Sequence, residues 1–385
     1  MKGFSEGARR LSGQPAFKVL ARARQMEREG RDILHFEIGE PDFDTPRHIK
    51  DACIRALNDG ETDYVNSSGI LGLREAIRDE IEQTRGFRPD LNQILVGPGA
   101  NPIIYYVMAC TVGPRKNVVV GSPGFMSYFA NLDYTGFEGR FVVLKEENEF
   151  RMDPEDVCGA MDGETGLIIM NSPSNPCGSV MTKAEIERMA EIAEEKDVYL
   201  LTDEIYSKMT YDETHYTPSI RDECRERTIL LDGFSKAYAM TGWRLGYAVG
   251  PAPLIEKMGL LLQTIISCTT NFIQYGGIAA IKGDQQCVAD MMAEFRKRRD
   301  AIVSGLNSIA NISCVNPQGA FYAFPNITKT GMTSQEFADY ALDEMGIAIL
   351  PGTGFGPGGE GYVRFSYASS VEDINEAIRR MRETL

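Results

Sequence analysis

Residues Thr228–Gly250 read TILLDGFSKAYAMTGWRLGYAVG. Thr228–Asp232 and Leu245–Gly250 are apolar, β-branched runs of strand length. Between them, Ser235, Lys236 and Arg244 stand among Phe234, Tyr238, Met240 and Trp243. Burial lowers a lysine pKa and makes its amine a nucleophile toward carbonyls, and an arginine can clamp a phosphate. Upstream, the same strand pattern recurs at Ile94–Gly97, Asn117–Gly121, Phe141–Leu144, Leu167–Asn171 and Val198–Asp203. Longer amphipathic segments alternate with these runs. One is Lys183–Lys196, which carries Thr182 and Glu185 at capping-box spacing. The alternation predicts βαβ units around a mainly parallel, seven-stranded sheet flanked by helices.

After this region the character changes. A charged amphipathic helix is expected over Cys287–Ile309. It is followed by short strands at Ile312–Val315, Ala320–Pro325, Ile347–Leu350 and Tyr362–Ser366, and by a closing helix after Ser370. That order suggests a second, smaller α+β domain. We expect a large domain over 46–286, and a small domain formed by 287–385 with the arm 1–45.

The chain has 385 residues, 40 basic and 55 acidic, for a formal charge of −15. With 43% hydrophobic residues it has enough to bury, which argues against disorder. Its acidity argues against a nucleic-acid partner, which needs a basic stripe. No long apolar run suggests a membrane span, and the N-terminus lacks a secretory h-region, so a cytoplasmic location is expected. Three histidines (His35, His48, His215) and eight cysteines without a Cys-x-x-Cys pair predict no metal site and reduced thiols. His215 lies in a polar stretch and reads as a surface residue. Walker-type phosphate loops, Gly-x-Ser-x-Gly elbows and His-Glu-x-x-His pairs are absent from the sequence.

Four clusters follow predicted strands, where open α/β sheets place ligands. Gly97-Pro-Gly-Ala-Asn101 is either a phosphate-binding turn or a tight strand-to-helix turn. Asn171-Ser-Pro-Ser-Asn-Pro-Cys-Gly178 is a rigid turn that either presents Asn175 or is structural. Asp203 is either a counter-ion for a buried cation or a helix cap. Lys236 and Arg244 belong to the fourth cluster.

Together the clusters resemble the class I/II pyridoxal-phosphate-dependent aminotransferases of the aspartate-aminotransferase fold type. The resemblance runs from Gly39-Glu-Pro-Asp-Phe-Asp-Thr-Pro46 to Tyr362-Val-Arg-Phe-Ser366. It is carried most specifically by Ser235–Gly246, by Asn-Pro-x-Gly at 175–178 and by Asp-x-x-Tyr at 203–206. It implies that pyridoxal 5′-phosphate is held on Lys236, which also shuttles the reacting proton. Asp203 would pair with the pyridine nitrogen, Asn175 and Tyr206 would bond the ring oxygen, and Phe125 would stack on the ring. Gly99, Ala100, Asn101, Ser235 and Arg244 would hold the phosphate, joined by Tyr64 from a neighbouring subunit of a homodimer. Arg364 would bind the substrate α-carboxylate, with Asn175 and the Gly39 backbone beside it.

The implied activity is transfer of an amino group between an L-amino acid and a 2-oxo acid by a ping-pong route, with 2-oxoglutarate and glutamate as one pair. A β-eliminating carbon–sulfur lyase of the same fold is the alternative. A non-catalytic cofactor-binding sensor is a more distant one, since no basic helix-turn-helix segment precedes residue 40. Some positions depart from the family pattern. Gly233 stands where a hydroxyl is common, Asn101 where some acidic-substrate relatives carry lysine, and Asn66-Ser-Ser-Gly69 where Pro-Ala-Gly is usual.

Overall fold

The computed structural model describes residues 3–13, 15–113 and 116–385. Its centre is a seven-stranded sheet. In chain order the strands are β1 (Ile94–Gly97), β2 (Asn117–Ser122), β3 (Glu138–Val143), β4 (Thr165–Asn171), β5 (Tyr199–Asp203), β6 (Thr228–Gly233) and β7 (Gly246–Val249). Their spatial order is β1-β7-β6-β5-β4-β2-β3. All neighbours pair in parallel except β7, which is antiparallel to both β1 and β6. The strand Phe141–Leu144 expected from sequence begins earlier, at Glu138, because pairing with β2 recruits the less apolar Glu138, Gly139 and Arg140.

Successive side chains leave a strand on opposite faces, so both faces must be apolar when helices cover both. Val118, Val120, Ile169, Leu201, Ile229 and Leu231 pack on one side, with Ile103 and Val107 of the helix Ala100–Thr111. Val119, Ile168, Met170 and Leu200 point the other way, toward Ile186 and Met189 of the helix Lys183–Glu195. That second helix starts at the predicted box: Glu185 N donates to Thr182 Oγ1 at 3.3 Å, and Thr182 N donates to Glu185 Oε2 at 2.8 Å.

The long helix Gln286–Asn307 leads to a three-stranded antiparallel sheet of Leu350–Pro351, Val363–Ser366 and Tyr322–Ala323. Ile312–Val315, expected as a strand, forms only the single bridge Ser313–Asn326. The expected strand Ile347–Leu350 divides. Ile347–Ala348 pairs in parallel with Leu34–His35, while Leu350–Pro351 pairs with Arg364 and Val363. The N-terminal arm therefore packs on this C-terminal region. Phe36 N donates to Ala348 O, and the Phe36 carbonyl accepts from Ser366 N. Among the described residues, no helix is long and apolar enough to cross a membrane.

Candidate active site

The carboxyl ends of β1, β2, β4, β5 and β6 open on one cavity of about 790 Å³. β7, running the opposite way, begins at the same edge, with Gly246 paired to both Gly97 and Gly233. This is the end of an open α/β sheet where ligands gather.

Each strand delivers one element. Beyond β1, Gly99 adopts φ +90° at the start of the helix Ala100–Thr111, leaving first-turn N–H groups free for an anion. A Cβ at Gly99 would lie 2.5 Å from Arg244 Nη2, so only glycine lets that guanidinium close on the turn. Arg244 is held there by its bond from Nη1 to Thr241 O at 2.8 Å. Beyond β2, half-buried Phe125 turns its ring to the cavity. Beyond β4, Asn171 braces the turn, donating to Asp203 O at 2.9 Å and accepting from Asn175 N at 2.8 Å.

Asp203 ends β5. It is 4% exposed, accepts from Tyr128 Oη at 2.6 Å, and takes Ile205 N at 3.2 Å on its other oxygen. Burial pushes its carboxyl up to about 6, against the hydrogen bond from Tyr128. Lys236, beyond β6, donates from Nζ to Gly39 O at 2.6 Å. Burial lowers its amine to about 8, with the Arg364 charge adding to the effect. Arg364 is 2% exposed and lies 4.6 Å over the Tyr322 ring and 4.9 Å over Phe355. It donates to Asn175 Oδ1 at 3.2 Å and to Glu37 O at 2.6 Å, while its Nε has no partner. Burial lowers its pKa. Neither Lys236 nor Arg364 has a carboxylate partner among the described residues.

Gly39, Ala100, Asn101, Phe125, Asn175, Asp203, Tyr206, Ser235, Lys236, Arg244 and Arg364 all line this cavity. Tyr64 does not, and is 85% exposed. Three contributors escaped the sequence reading. Tyr128 follows Phe125 by one helical turn, a spacing that placed it within reach. Tyr322, whose hydroxyl lies 2.7 Å from that of Tyr206, comes from 116 residues away, and no local signal marks it. The helix Pro15–Arg28 adds Phe17, Leu20 and Arg24 to the wall, on a single face at i, i+3 and i+7.

His215 is not the surface residue its polar stretch suggested. Its side chain is 11% exposed, with Nε2 3.0 Å from Glu204 Oε2. Glu204 and Asp232, behind the cavity, also take buried Arg85 at 3.1 Å and 2.8 Å. Burial would raise Glu204, but His215 and Arg85 together hold it at about 2. Arg85→Leu leaves two buried carboxylates short of a cation. It is expected to cost about 3–5 kcal/mol, read as a lowered midpoint in urea unfolding. An unchanged midpoint would remove the ion network from the account of stability.

The family model for aminotransferase class I and II matches residues 31–381. An aspartate aminotransferase of Pyrococcus horikoshii is 36% identical over 96% of this chain and 93% of its own length. Aromatic-amino-acid aminotransferase 2 of Thermococcus litoralis is 39% identical over 92% of each chain. Among solved structures, Thermus thermophilus aspartate aminotransferase with maleate superposes with a TM-score of 0.95 at 33% identity, covering 100% of both chains.

Proposed function

The chain belongs to the class I and II aminotransferases, transaminases that work with pyridoxal phosphate, and from that premise we propose how its residues divide the work. It moves an amino group between an L-amino acid and a 2-oxo acid by a ping-pong route, with glutamate and 2-oxoglutarate as one pair. The observation that carries this reading is the pair Lys236 and Arg364. Both are cations facing one cavity without a carboxylate partner among the described residues, and buried Asp203 lines the same cavity. Unpaired charge of this kind is costly unless a ligand completes it.

The residues present fit the cofactor. Asp203, short of a cation, suits a protonated ring nitrogen, and the Tyr128 hydrogen bond favours its charged form. The Gly99–Asn101 turn, Ser235 and Arg244 suit a phosphate, and Phe125 offers a flat apolar face. When bound, the cofactor supplies the electron sink that lets a substrate Cα proton leave.

The protein does the rest. Arg364 takes the substrate carboxylate in a two-pronged grip, with Asn175 fixing the guanidinium. Lys236 Nζ, lowered to about 8, would be the base that takes the substrate Cα proton and holds it for return. Tyr206, steadied by Tyr322, holds its hydroxyl toward the site. Arg364→Leu is expected to raise KM for every α-carboxylate substrate by the equivalent of about 2–5 kcal/mol, with a smaller effect on kcat. An unchanged KM would make Arg364 structural. Release of pyruvate and ammonia without an oxo-acid acceptor would instead indicate elimination chemistry.

The same reading assigns exposed Tyr64 to the site of a second copy in a homodimer. Sedimentation of the holoenzyme at twice the chain mass, together with weaker cofactor retention in Tyr64→Ala, is the expected result. A monomer with full retention would overturn it.

A further inference from the structure

Arg364 has a buried carboxylate close by. Glu37 is 0% exposed, lines the same cavity, and presents its backbone carbonyl to Arg364 Nη2 at 2.6 Å. A carboxylate this deep needs a counter-charge. Its Oε1 lies 2.8 Å from His35 Nδ1, and its Oε2 has no hydrogen-bond partner. His35 is the one ion-pair partner of Glu37 among the described residues.

The other ring nitrogen of His35 also meets a carboxylate. Nε2 lies 3.1 Å from Glu27 Oε1, on the cavity-lining helix Pro15–Arg28. A neutral imidazole has one donor; only the imidazolium has two. With an acceptor at each nitrogen, the geometry calls for the charged ring. The hydrogen bond His35 donates to Glu37, with Glu27 in support, accordingly raises the His35 pKa against partial burial. The charged groups facing His35 are thus Glu37 on its own segment and Glu27 on the helix, with Arg24 behind Glu27 at 3.1 Å. Those facing Glu37 are His35 and Arg364.

We propose that His35 is a positioning residue: by occupying Glu37 as an imidazolium, it keeps that carboxylate from competing for Arg364, which stays free for a substrate carboxylate. The proposal rests on the reading of Arg364 given above. A raised His pKa means that the charge is present at low pH and lost as pH rises through the raised value. Carboxylate affinity should therefore fall over that interval. Once His35 is neutral, Glu37 is an uncompensated anion beside the binding guanidinium.

The test is calorimetric binding of succinate, a non-reacting carboxylate, to the holoenzyme between pH 6 and 9. Affinities are taken relative to the native protein, so that titrations common to both proteins cancel. His35→Gln is expected to bind about tenfold more weakly at pH 6.5, about 1.4 kcal/mol, and to converge on the native protein at pH 9. The double variant His35→Gln/Glu37→Gln is expected to recover most of that loss, because the competing charge is gone. Glu37→Gln alone keeps the test open should His35→Gln not fold, and is expected to flatten the pH dependence. Native affinity in His35→Gln at pH 6.5, or no recovery in the double variant, overturns the proposal. If Arg364→Leu binds succinate as the native protein does, the reading of Arg364 fails and takes the proposal with it.

Discussion

Lys236→Ala is expected to abolish the visible absorbance that the cofactor acquires on joining its lysine, and to cut turnover by about 10⁴-fold or more. Two losses combine in one side chain. On the proposed roles, the amine that would anchor the cofactor is gone, and so is the group that would move the Cα proton. The environment explains why this amine is suited to both tasks. An ordinary lysine is protonated at neutral pH, whereas burial and the Arg364 charge bring Lys236 down to about 8. A free-amine fraction then exists near neutrality. Its hydrogen bond to Gly39 O, at 2.6 Å, holds Nζ at the cavity wall. Absorbance spectra and single-turnover rates check the prediction, and a variant with native turnover would sink the assignment. Small primary amines added to the variant are expected to restore part of the proton transfer but not the anchoring.

The second large effect is expected at Asp203. On the proposed role of Asp203, Asp203→Asn would remove the full charge suited to a protonated ring nitrogen, and kcat is expected to fall by about 10²–10³-fold, the range seen when one preorganised electrostatic partner is deleted. The same variant should change stability in the opposite sense. In the ligand-free protein the Asp203 carboxyl is raised to about 6, chiefly by burial. Its folded pKa lies above its unfolded one, so ionisation disfavours the folded state. The ligand-free protein should lose stability as pH rises from about 4 through 6, and stay at the lower level above that. Asp203→Asn has no such loss, and above pH 6 is expected to unfold at higher urea than the native ligand-free protein, by about 1–3 kcal/mol. Urea unfolding at pH 5 and pH 8 decides it. Equal pH dependence in both proteins would show that Asp203 carries no strain. On the proposed role, bound cofactor would supply the missing positive charge, and the holoenzyme should show little of the effect.

Arg364 and Glu37 show how an acidic protein can serve anionic ligands. The formal charge of −15 belongs to the whole chain, while the cavity gathers Lys236, Arg244 and Arg364, with Arg244 at the Gly99 turn that starts a helix. Net charge governs solubility and encounter, and the local field governs binding.

Much of this was legible in the chain because its cause is local. Apolar β-branched runs at Asn117–Gly121, Leu167–Asn171 and Thr228–Asp232 must be strands buried on both faces. Thr182 with Glu185 starts a helix wherever it stands. Gly99, Asn175 and Lys236 follow a strand by a few residues and Asp203 ends one, and a parallel sheet brings all such ends to one edge. The residues themselves thus determined the α/β class, the edge that carries the site and the groups that its strand ends deliver there. Tertiary structure alone decided what lies across from them. Tyr322 meets Tyr206 across 116 residues, and Arg364 meets Asn175 across 189. His35 bridges Glu27 and Glu37 only because the N-terminal arm pairs with Ile347–Ala348 and turns its helix over the cavity. Spacing along a chain encodes contacts within a helix or beside a strand end. Contacts between distant segments, and the charge states they impose, depend on how the layers pack, which no local pattern records.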